Sequence, residues 1–332
     1  MLESKKTPEP TEILNLAIAK GLTDLYVGYS GGKDSGIVLD IVAQTCPENF
    51  RGVLFCDTGI STIETKKFVI ATCKNKNYPL HILKPENVLI CDTCHKTINR
   101  TKNFDDKVCP TCKNKGTPLS YEKAVLRWGF PSAYSHPQTM AWLKWHSIVQ
   151  FILKKEALGE KPALCSGIRK KESKRRNRNF NYWLDKHDKL TFIKPIFYKN
   201  NNWVMRYFIE NDIKRSPVYE TLHLSGDCLC GCFGQTQDLK LIQMFHPTAF
   251  NEIKRLEELI KKEGSPNAKK YGLWGNTKKD TWGTSTKDVI AQTVLENFVC
   301  NDCILDHKKT EKDTNRFNHE MEDIDKKLEQ FV

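Results

Sequence analysis

A strand-like segment that runs directly into two adjacent glycines is the feature that most constrains how this chain folds. Residues 26–29, Tyr-Val-Gly-Tyr, have the composition of a buried strand; Ser-Gly-Gly-Lys-Asp-Ser follows at 30–35, before a helix-like apolar stretch at 36–44. Adjacent glycines allow a tight turn whose backbone amides point inward, and the positive end of the helix dipole adds to them. The pattern therefore predicts a strand, a phosphate-binding loop and a helix in succession.

The spacing excludes a Walker A loop, which also binds phosphate through a Gly-Lys pair. That motif has four residues between its first glycine and the pair, whereas Gly28 stands one residue too close. Asp34 also occupies the position where Ser or Thr would hold magnesium. An ordinary glycine-rich turn between a strand and a helix is the alternative interpretation of the loop.

Two further strands follow the loop, with a helix between them. Residues 52–56 form a second apolar run that ends in Asp-Thr-Gly at 57–59, and 80–83 have the composition of a third strand. The helix-like stretch at 66–73 separates the two runs. Alternation of strands and helices predicts a parallel sheet.

Three later motifs complete a recognisable order. They are Ser-Gly-Ile-Arg-Lys-Lys-Glu-Ser at 166–173, Lys-Pro-Ile at 194–196 with an amphipathic stretch at 203–211, and Ser-Pro-Val-Tyr at 216–219. With the glycine loop, they make residues 20–240 resemble the phosphoadenosine phosphosulfate (PAPS) reductase family of the PP-loop adenine nucleotide alpha hydrolases. The resemblance implies an α/β fold: a Rossmann-like parallel sheet with helices on both faces.

The resemblance also implies a reaction. Relatives that keep the Lys-Asp pair of the loop use ATP with magnesium: they cleave the bond between its α and β phosphates, adenylate a substrate and then transfer sulfur to it. We expect the nucleotide at the carboxyl edge of the sheet. The residues expected to bind it are Ser30, Gly31, Gly32, Lys33, Asp34, Ser35, Asp57, Thr58, Gly59, Gly167, Arg169 and Ser173.

Four residues are expected to act in catalysis. Lys33 would hold the terminal phosphates, and Asp34 would orient the loop or hold magnesium. Arg169 would neutralise charge that grows on the transferred group, while Glu172 would fix that group in place together with Ser173.

Four cysteines are spaced as in a zinc ribbon. Cys91 and Cys94 form one Cys-x-x-Cys pair, and Cys109 and Cys112 form a second pair after fourteen intervening residues. The polar residues between the pairs cannot build a core, and four thiolates around zinc would supply the missing stability. We expect a structural zinc in an insertion at 91–112, which either stiffens a loop or contacts a macromolecular substrate.

A second cysteine cluster is less regular and leaves several interpretations open. It comprises five cysteines, which are Cys228, Cys230, Cys232, Cys300 and Cys303. Relatives often carry a metal-binding Cys-x-x-Cys after the Pro-x-Tyr motif, whereas this chain has Cys-x-Cys-x-Cys. An iron–sulfur cluster, a second zinc, and free or redox-active thiols are the alternatives.

The other cysteines occupy apolar positions of strands or helices. Cys46, Cys56 and Cys73 are expected in the core. Cys165 ends a predicted strand beside Gly167, where open α/β sheets bind ligands, so a core position and a thiol role both remain open for it.

Basic residues are concentrated in one segment. Lys and Arg number 52 against 40 Asp and Glu, a net charge of +12, and seven of the ten residues at 169–178 are basic. Aromatic residues follow at 180–183, and this combination suits a nucleic acid such as DNA or tRNA. A solvated helix face beside the nucleotide phosphates is the alternative.

Sulfur transfer also implies a donor such as a cysteine desulfurase.

Two rival functions remain open. Sulfonucleotide reductases, which act on PAPS or adenosine phosphosulfate, resemble this chain but usually drop the Lys-Asp pair of the loop and carry a Glu-Cys-Gly-x-His tail. The segment at 303–307, Cys-Ile-Leu-Asp-His, does not match that tail. A non-catalytic zinc-ribbon adaptor that binds nucleic acid is the second rival, although an adaptor has no physical need for an intact loop.

The expected organisation has four parts. An N-terminal helix or arm at 1–22 precedes the nucleotide-binding domain at 23–235, a helical C-terminal region with the last cysteine pair spans 236–306, and a charged tail spans 307–332. No apolar run approaches the eighteen or so residues that cross a membrane, and the first residues do not form a signal peptide. We therefore expect a cytoplasmic protein without a membrane partner.

Overall fold

A computed structural model of the chain describes residues 7–94, 98, 107–170, 183–187 and 190–275. The strands in this part of the chain are β1 (Asp24–Gly28), β2 (Phe50–Cys56), β3 (Leu80–Leu83), β4 (Leu89–Cys91), β5 (Gly116–Pro118), β6 (Pro162–Cys165), β7 (Leu184–His187) and β8 (Leu190–Ile193). The helices are α1 (Pro10–Ala19), α2 (Lys33–Thr45), α3 (Ile63–Asn75), α4 (Tyr121–Trp128), α5 (His136–Met140), α6 (His146–Ala157), α7 (Asn201–Glu210), α8 (Tyr219–Leu222), α9 (Thr236–Phe245), α10 (Pro247–Glu263) and α11 (Pro266–Lys270). A π-helical turn, Ala141–Trp145, joins α5 to α6.

The central sheet is mostly parallel, as the alternation of strands and helices predicts. Its order is β3-β2-β1-β6-β8-β7, and every neighbouring pair is parallel except β7 and β8. Only two residues separate β7 from β8 in sequence, too few for the crossover that a parallel pair needs. The antiparallel edge strand therefore follows from the length of this connection.

Helices cover both faces of the sheet. Residues along each strand alternate between the two faces, so a buried strand places apolar side chains on both, and helices cover them. One face, which includes Leu25, Val53 and Cys165, packs against α1, α2, α3 and α7. The other face, which includes Tyr26 and Leu54, packs against α4, α6 and α10. The expectation of a PP-loop α/β fold with helices on both faces is thus confirmed.

The helices expected from the sequence are present in the described region. Helix α4 ends before Gly129, whose φ of +79° suits glycine, and α10 spans Pro247–Glu263 as expected. Helices α9, α10 and α11 make the region after residue 235 helical. Residues 276–306 of the expected helical C-terminal region and the charged tail at 307–332 lie outside the described residues. None of the described helices is both long and apolar enough to cross a lipid bilayer.

The segment at 216–229 returns to the carboxyl edge of the sheet and is bound to the residues that follow β2. The Thr62 amide donates to the Gly226 carbonyl at 2.9 Å, and the hydroxyls of Thr65 and Ser216 lie 2.7 Å apart. The Leu229 amide donates to the carbonyl of Ile60 at 2.7 Å. These bonds hold the cysteine-bearing segment against the edge where the glycine loop emerges.

Close packing at Gly226 generates a prediction about stability. A Cβ atom there would lie 2.5 Å from Thr62 Oγ1 at a φ of +71°, whereas at Gly159, with a φ of +87°, it would meet no atom within 4 Å. Both alanine variants incur the cost of a left-handed backbone, about 1 kcal/mol. Gly226→Ala adds a steric clash, so its total cost should reach about 2 to 4 kcal/mol.

Urea unfolding of the two alanine variants measures this difference. Gly159→Ala is the matched control, because it changes the backbone preference alone. Equal unfolding midpoints for Gly226→Ala and Gly159→Ala would show that the segment at 216–229 is not closely packed against the edge.

Candidate functional site

The glycine loop connects β1 to α2 as the sequence predicts. Gly31 has a φ of +81°, and the hydroxyls of Ser30 and Ser35 lie 3.1 Å apart across the loop. The Gly32 amide donates to Ser30 Oγ at 3.3 Å, and the Ser35 hydroxyl donates to the Gly32 carbonyl at 3.0 Å. No side chain caps the N-terminus of α2, so the positive end of this helix can bind an anion.

Asp34 and Arg169 form a buried ion pair that joins α2 to the segment after β6. Arg169 Nε and Nη2 lie 3.2 and 3.1 Å from Asp34 Oδ2, and Arg169 Nη1 donates to Asn201 Oδ1 at 2.8 Å. Arg169 is 4% exposed and Asp34 is 9% exposed. The contact orients the first turn of α2, which is one of the two roles expected for Asp34.

Gly167 allows the segment after β6 to lie close to the first turn of α2. A Cβ atom on Gly167 would lie 2.9 Å from the backbone carbon of Asp34 and 3.0 Å from the amide nitrogen of Ser35, closer than side-chain carbons normally come to backbone. The glycine is therefore needed for close contact between the strand end and the helix. Gly167 also lines the cleft at the carboxyl edge of the sheet, and its direct contact with a ligand remains a prediction.

A cleft opens at the carboxyl edge of the sheet, where strands β1, β2 and β6 end. We call it the edge cleft; it has a cavity volume of about 140 Å³ and lies where open α/β sheets bind ligands. Its polar wall comes from Ser30, Ser35 and Ser166. Its apolar floor consists of Leu54, Met140, Ala141, Trp145, Ile148, Leu164 and Phe192.

The floor has the flat aromatic surface that a planar base would contact. The rings of Trp145 and Phe192 are stacked at a centroid distance of 5.5 Å and an interplanar angle of 7°. A cleft with hydroxyls and helix amides at one end and an apolar floor at the other fits a molecule that has an anionic part and a planar apolar part.

Lys33 and Asp57 do not line the edge cleft. The Lys33 ammonium lies 3.4 Å from Met205 Sδ on α7, and the Asp57 carboxylate pairs with Lys66 at 2.6 Å. Thr58 is buried and donates a hydrogen bond to the carbonyl of Asp227 at 3.3 Å. In this structure the Asp-Thr-Gly segment shapes the edge, and contact with a nucleotide remains a prediction for all three residues.

Three residues of the edge cleft that carry a thiol or a charge were not foreseen from the sequence. Cys56, expected in the core, is only partly buried and lines the cleft at the end of β2. Cys56 also packs against the core, so the expectation holds in part: the last residue of a parallel strand lies at the ligand-binding edge as well. Lys144 and Asp227 also line the cleft and form a buried ion pair with each other. A lysine within the apolar stretch at 139–153 was the only sequence feature that could have indicated the pair.

A second cavity, which we call the cysteine pocket, has a volume of about 50 Å³ and is lined by Cys228, Cys230 and Cys232. Asp227 lines both cavities, so the two adjoin. The Tyr121 hydroxyl donates to the Cys230 carbonyl at 2.7 Å. A hydrogen bond with the Cys230 thiol, together with burial, raises the pKa of Cys228 well above its usual value.

The first four cysteines, Cys91, Cys94, Cys109 and Cys112, form the metal-ligand set that their spacing predicts; we call them the ribbon cluster. Within the described parts of the chain, the ribbon cluster is the only group of three or more candidate ligands that converges, and its ligand atoms lie within 4.8 Å of one another. Tetrahedral zinc with four sulfur ligands places them about 3.8 Å apart. The ribbon cluster therefore fits the inserted zinc ribbon.

Backbone geometry prepares this cluster for a cation. The strands β4 and β5 pair in a hairpin, and the amide of Cys112 donates to Cys109 Sγ at 3.4 Å. The amide of Cys94 lowers the pKa of the Cys91 thiol to about 6, whereas hydrogen bonding to the Cys94 thiol raises the pKa of Cys112 to about 12. Four adjacent thiols cannot ionise together without a compensating positive charge, which a metal ion would supply.

The second cluster and the basic segment are only partly described. Cys228, Cys230 and Cys232 do not converge as the ribbon cluster does, and Cys300 and Cys303 lie outside the described residues. Glu172, Ser173 and most of the basic run lie outside them as well. Their expected roles remain predictions.

Three other cysteines lie in the core. Cys46 and Cys73 are buried on the face of the sheet that carries α2 and α3, as expected. Cys165 faces the same side and is fully buried, and burial raises the pKa of its thiol well above the usual value. Of the two roles left open for Cys165, the structure supports the core position.

The ribbon cluster generates a prediction about metal content. Cys91→Ser removes one thiolate ligand and should abolish stoichiometric metal binding by the cluster, because oxygen is a weak fourth ligand for a closed sulfur site. Cys46→Ala, which removes a core thiol, is the control and should retain the metal. Elemental analysis of both purified variants measures the difference, and X-ray absorption should show four sulfur ligands. Equal metal content in the two variants would contradict the assignment.

Comparison with known proteins agrees with this geometry. The family model of the phosphoadenosine phosphosulfate reductase domain matches residues 24–237, more than half of the chain. The search of curated proteins gave no match.

Three solved structures are similar to this chain at low identity. The PAPS reductase of Candida auris, in a phosphate complex, is 18% identical over 64% of this chain and 84% of its own, with a TM-score of 0.40. The FMN adenylyltransferase of Candida glabrata, with FMN and an ATP analogue, is 12% identical over 80% and 87%, with a TM-score of 0.38. The U34-tRNA thiolase of Methanococcus maripaludis, with its 4Fe-4S cluster, is 13% identical over 76% and 78%, with a TM-score of 0.33.

These structural similarities carry no argument about activity. The family match rests instead on the sequence of the domain that contains the glycine loop, the edge cleft and the cysteines at 228–232. This chain belongs to the phosphoadenosine phosphosulfate reductase family.

Proposed function

We propose that this chain is a PP-loop ATP pyrophosphatase that adenylates a substrate and supports sulfur transfer to it. The observation that carries the proposal is the loop at 30–35, whose hydroxyls line the edge cleft and whose helix N-terminus has no side-chain cap. An uncapped helix N-terminus beside a cleft at the carboxyl edge of a parallel sheet suits the phosphates of a nucleotide.

The proposed reaction has two steps that use this edge. A substrate oxygen attacks the α-phosphorus of ATP while the bond from that phosphorus to the bridging oxygen breaks, and pyrophosphate leaves. A sulfur nucleophile then attacks the atom that bears the adenylated oxygen, and AMP leaves with that oxygen. Magnesium bound with the nucleotide would offset phosphate charge, and Asp34 is its proposed protein ligand.

The loop residues have distinct proposed roles in these steps. The amides of residues 31–33 and the hydroxyls of Ser30 and Ser35 hold the terminal phosphates. Lys33 joins them by turning away from Met205. Arg169 acts mainly by holding Asp34, while Glu172 and Ser173 complete the site from the basic segment.

The adjoining cysteine pocket supports sulfur chemistry at this edge. Asp227 separates the edge cleft from three thiols, so a sulfur atom held in the cysteine pocket would be close to a bound nucleotide. Cys300 and Cys303 are proposed to join Cys228–Cys232 in holding an iron–sulfur cluster or a second metal. A cysteine desulfurase is the proposed source of sulfur.

The name of the family favours sulfonucleotide reduction as a second candidate function. In that reaction a protein thiol attacks the sulfur of PAPS or adenosine phosphosulfate, and the nucleotide leaves as its sulfur–oxygen bond breaks. A second thiol then attacks the thiol sulfur of this protein thiosulfonate, which forms a disulfide and releases sulfite. The Lys33–Asp34 pair supports the ATP-dependent function instead. Product analysis distinguishes the candidates: pyrophosphate and AMP for the first, sulfite for the second, and neither for a nucleic-acid-binding adaptor.

A variant of the loop lysine tests the ATP-dependent function. Lys33→Ala removes a charge-assisted bond to phosphate and should weaken ATP binding or turnover at least about tenfold. Lys254→Ala is the matched control, since Lys254 pairs with Glu257 on α10 and does not line the edge cleft. Calorimetry and pyrophosphate release measure the two effects. ATP affinity and turnover that are the same in both variants as in the wild type would overturn the assignment.

A nucleic acid, either DNA or tRNA, is the proposed sulfur acceptor, on the basis of the basic run at 169–178. Binding should weaken steeply with salt, and the triple variant of Lys174, Arg175 and Arg176 to Ala should reduce the salt slope by about one for each phosphate-binding side chain removed. The same variant should bind ATP normally. Filter binding across a salt series measures this, and an unchanged slope would favour a small sulfur acceptor.

A further inference from the structure

The edge cleft has two charged residues among the described residues that line it, Lys144 and Asp227. Neither of the two cations expected to bind phosphate lines it: Lys33 lies at Met205, and Arg169 is paired with Asp34 and Asn201. The positive charge that faces the cleft therefore comes from a residue outside every motif recognised in the sequence.

Local structure fixes where the Lys144 ammonium lies. Lys144 belongs to the π-helical turn between α5 and α6, a type of distortion that is frequent at functional sites. It is 7% exposed and pairs with Asp227, which is 4% exposed. The pair therefore lies where the edge cleft borders the cysteine pocket.

Asp227 is held by hydrogen bonds to its side chain and its backbone. Ser225 Oγ donates to Asp227 Oδ1 at 2.7 Å, and the Asp227 carbonyl accepts a hydrogen bond from Thr58 at 3.3 Å. Gly226, the preceding residue, is closely packed against Thr62. Lys144, in contrast, reaches the pair through a flexible four-carbon stem, so its ammonium can shift by small rotations while Asp227 stays in place.

Stability alone gives little reason for such a pair. The cost of removing two charges from water largely offsets their attraction, and apolar replacements of buried pairs are often as stable. A bound anion would change the balance between desolvation and attraction. It would place a second negative charge beside the Lys144 ammonium in a poorly hydrated site, where the attraction between opposite charges is strong.

We propose that Lys144 is the residue that binds the α-phosphate of the nucleotide, and that Asp227 is the counterion of its ammonium in the absence of nucleotide. The inference rests on the proposed function. The loop takes the terminal phosphates at one end of the edge cleft, and the apolar floor with Trp145 takes the base. Lys144 lines the cleft beside that floor, one residue before Trp145, so the phosphate nearest to it is the one attached to the nucleoside.

This position suits the reacting group. Negative charge on the non-bridging oxygens of the α-phosphate persists as the substrate oxygen attacks and pyrophosphate leaves, and an ammonium beside these oxygens stabilises it. Lys144 keeps its proton throughout and contributes by hydrogen bonding and charge.

A pair of variants that differ only in Lys144 tests the proposal. Asp227→Asn leaves the lysine in place without its anionic partner, and the double variant Asp227→Asn with Lys144→Met removes both charges and keeps the side-chain length. Neither variant leaves a buried carboxylate unpaired at this position. Calorimetry with AMP and, separately, with inorganic pyrophosphate gives the readout.

The expected results separate the α-phosphate from the terminal phosphates. Asp227→Asn should bind AMP at least as tightly as the wild type, whereas the double variant should bind AMP at least about tenfold more weakly. Pyrophosphate affinity should be the same in both variants. Lys33→Ala should show the reverse pattern, with weaker pyrophosphate binding and little change for AMP.

The outcomes that overturn the proposal are distinct from those that overturn the proposed function. Equal AMP affinity in Asp227→Asn and the double variant would remove Lys144 from the nucleotide site, while ATP binding by the wild type would leave the proposed function standing. A wild-type protein that binds neither ATP nor AMP would overturn both. Lys144→Arg and Lys144→Met in the wild-type background give a second comparison, in which only the methionine variant should lose AMP binding.

Discussion

The hydrogen bonds between the start of α3 and the segment at 216–229 determine how the whole carboxyl edge is arranged. Thr62 binds the Gly226 carbonyl, Thr65 binds Ser216, and the amide of Ser216 donates to the carbonyl of Gly31 at 2.7 Å. One short segment thus contacts both the glycine loop and the residues after β2. Because the same segment continues through Asp227 into the three cysteines, the packing at Gly226 also sets the distance between the edge cleft and the cysteine pocket.

Charges at this edge are arranged in pairs, and the pairing determines which of them faces the cleft. Arg169 is directed to Asp34, which leaves the N-terminal dipole of α2 as the positive group of the loop itself. Lys144 is directed to Asp227 on another wall of the cleft. A nucleotide in this cleft would therefore meet backbone amides at one end and a lysine near its base, which is a means of holding the two ends of a triphosphate separately.

The sequence predicts the parts of this site that are local and misses those that are not. The strand, loop and helix at 26–44 and the ligand set of the ribbon cluster depend on spacing between nearby residues, which is visible in the sequence. The contact of Lys144 with Asp227 joins residues 83 positions apart, and the placement of Cys56 depends on where β2 ends relative to its neighbours. No local sequence pattern predicts either feature. The ion pair arises from the packing of α5, α6 and the segment at 216–229 onto the sheet, and the placement of Cys56 arises from the arrangement of the strands within it.

The ribbon cluster is connected to the cysteine pocket through α4, and this bears on what the ribbon does. Arg127 Nη2 donates to the Asp92 carbonyl between the first two ligands at 2.9 Å, and the hydroxyl of Tyr121, at the other end of the same helix, donates to the Cys230 carbonyl. A metal that rigidifies the turn at Asp92 therefore also supports the helix that positions Cys230. These contacts favour the interpretation that the ribbon stiffens the inserted loop, because a rigid ribbon would also hold α4 and, through Tyr121, the backbone of the cysteine pocket.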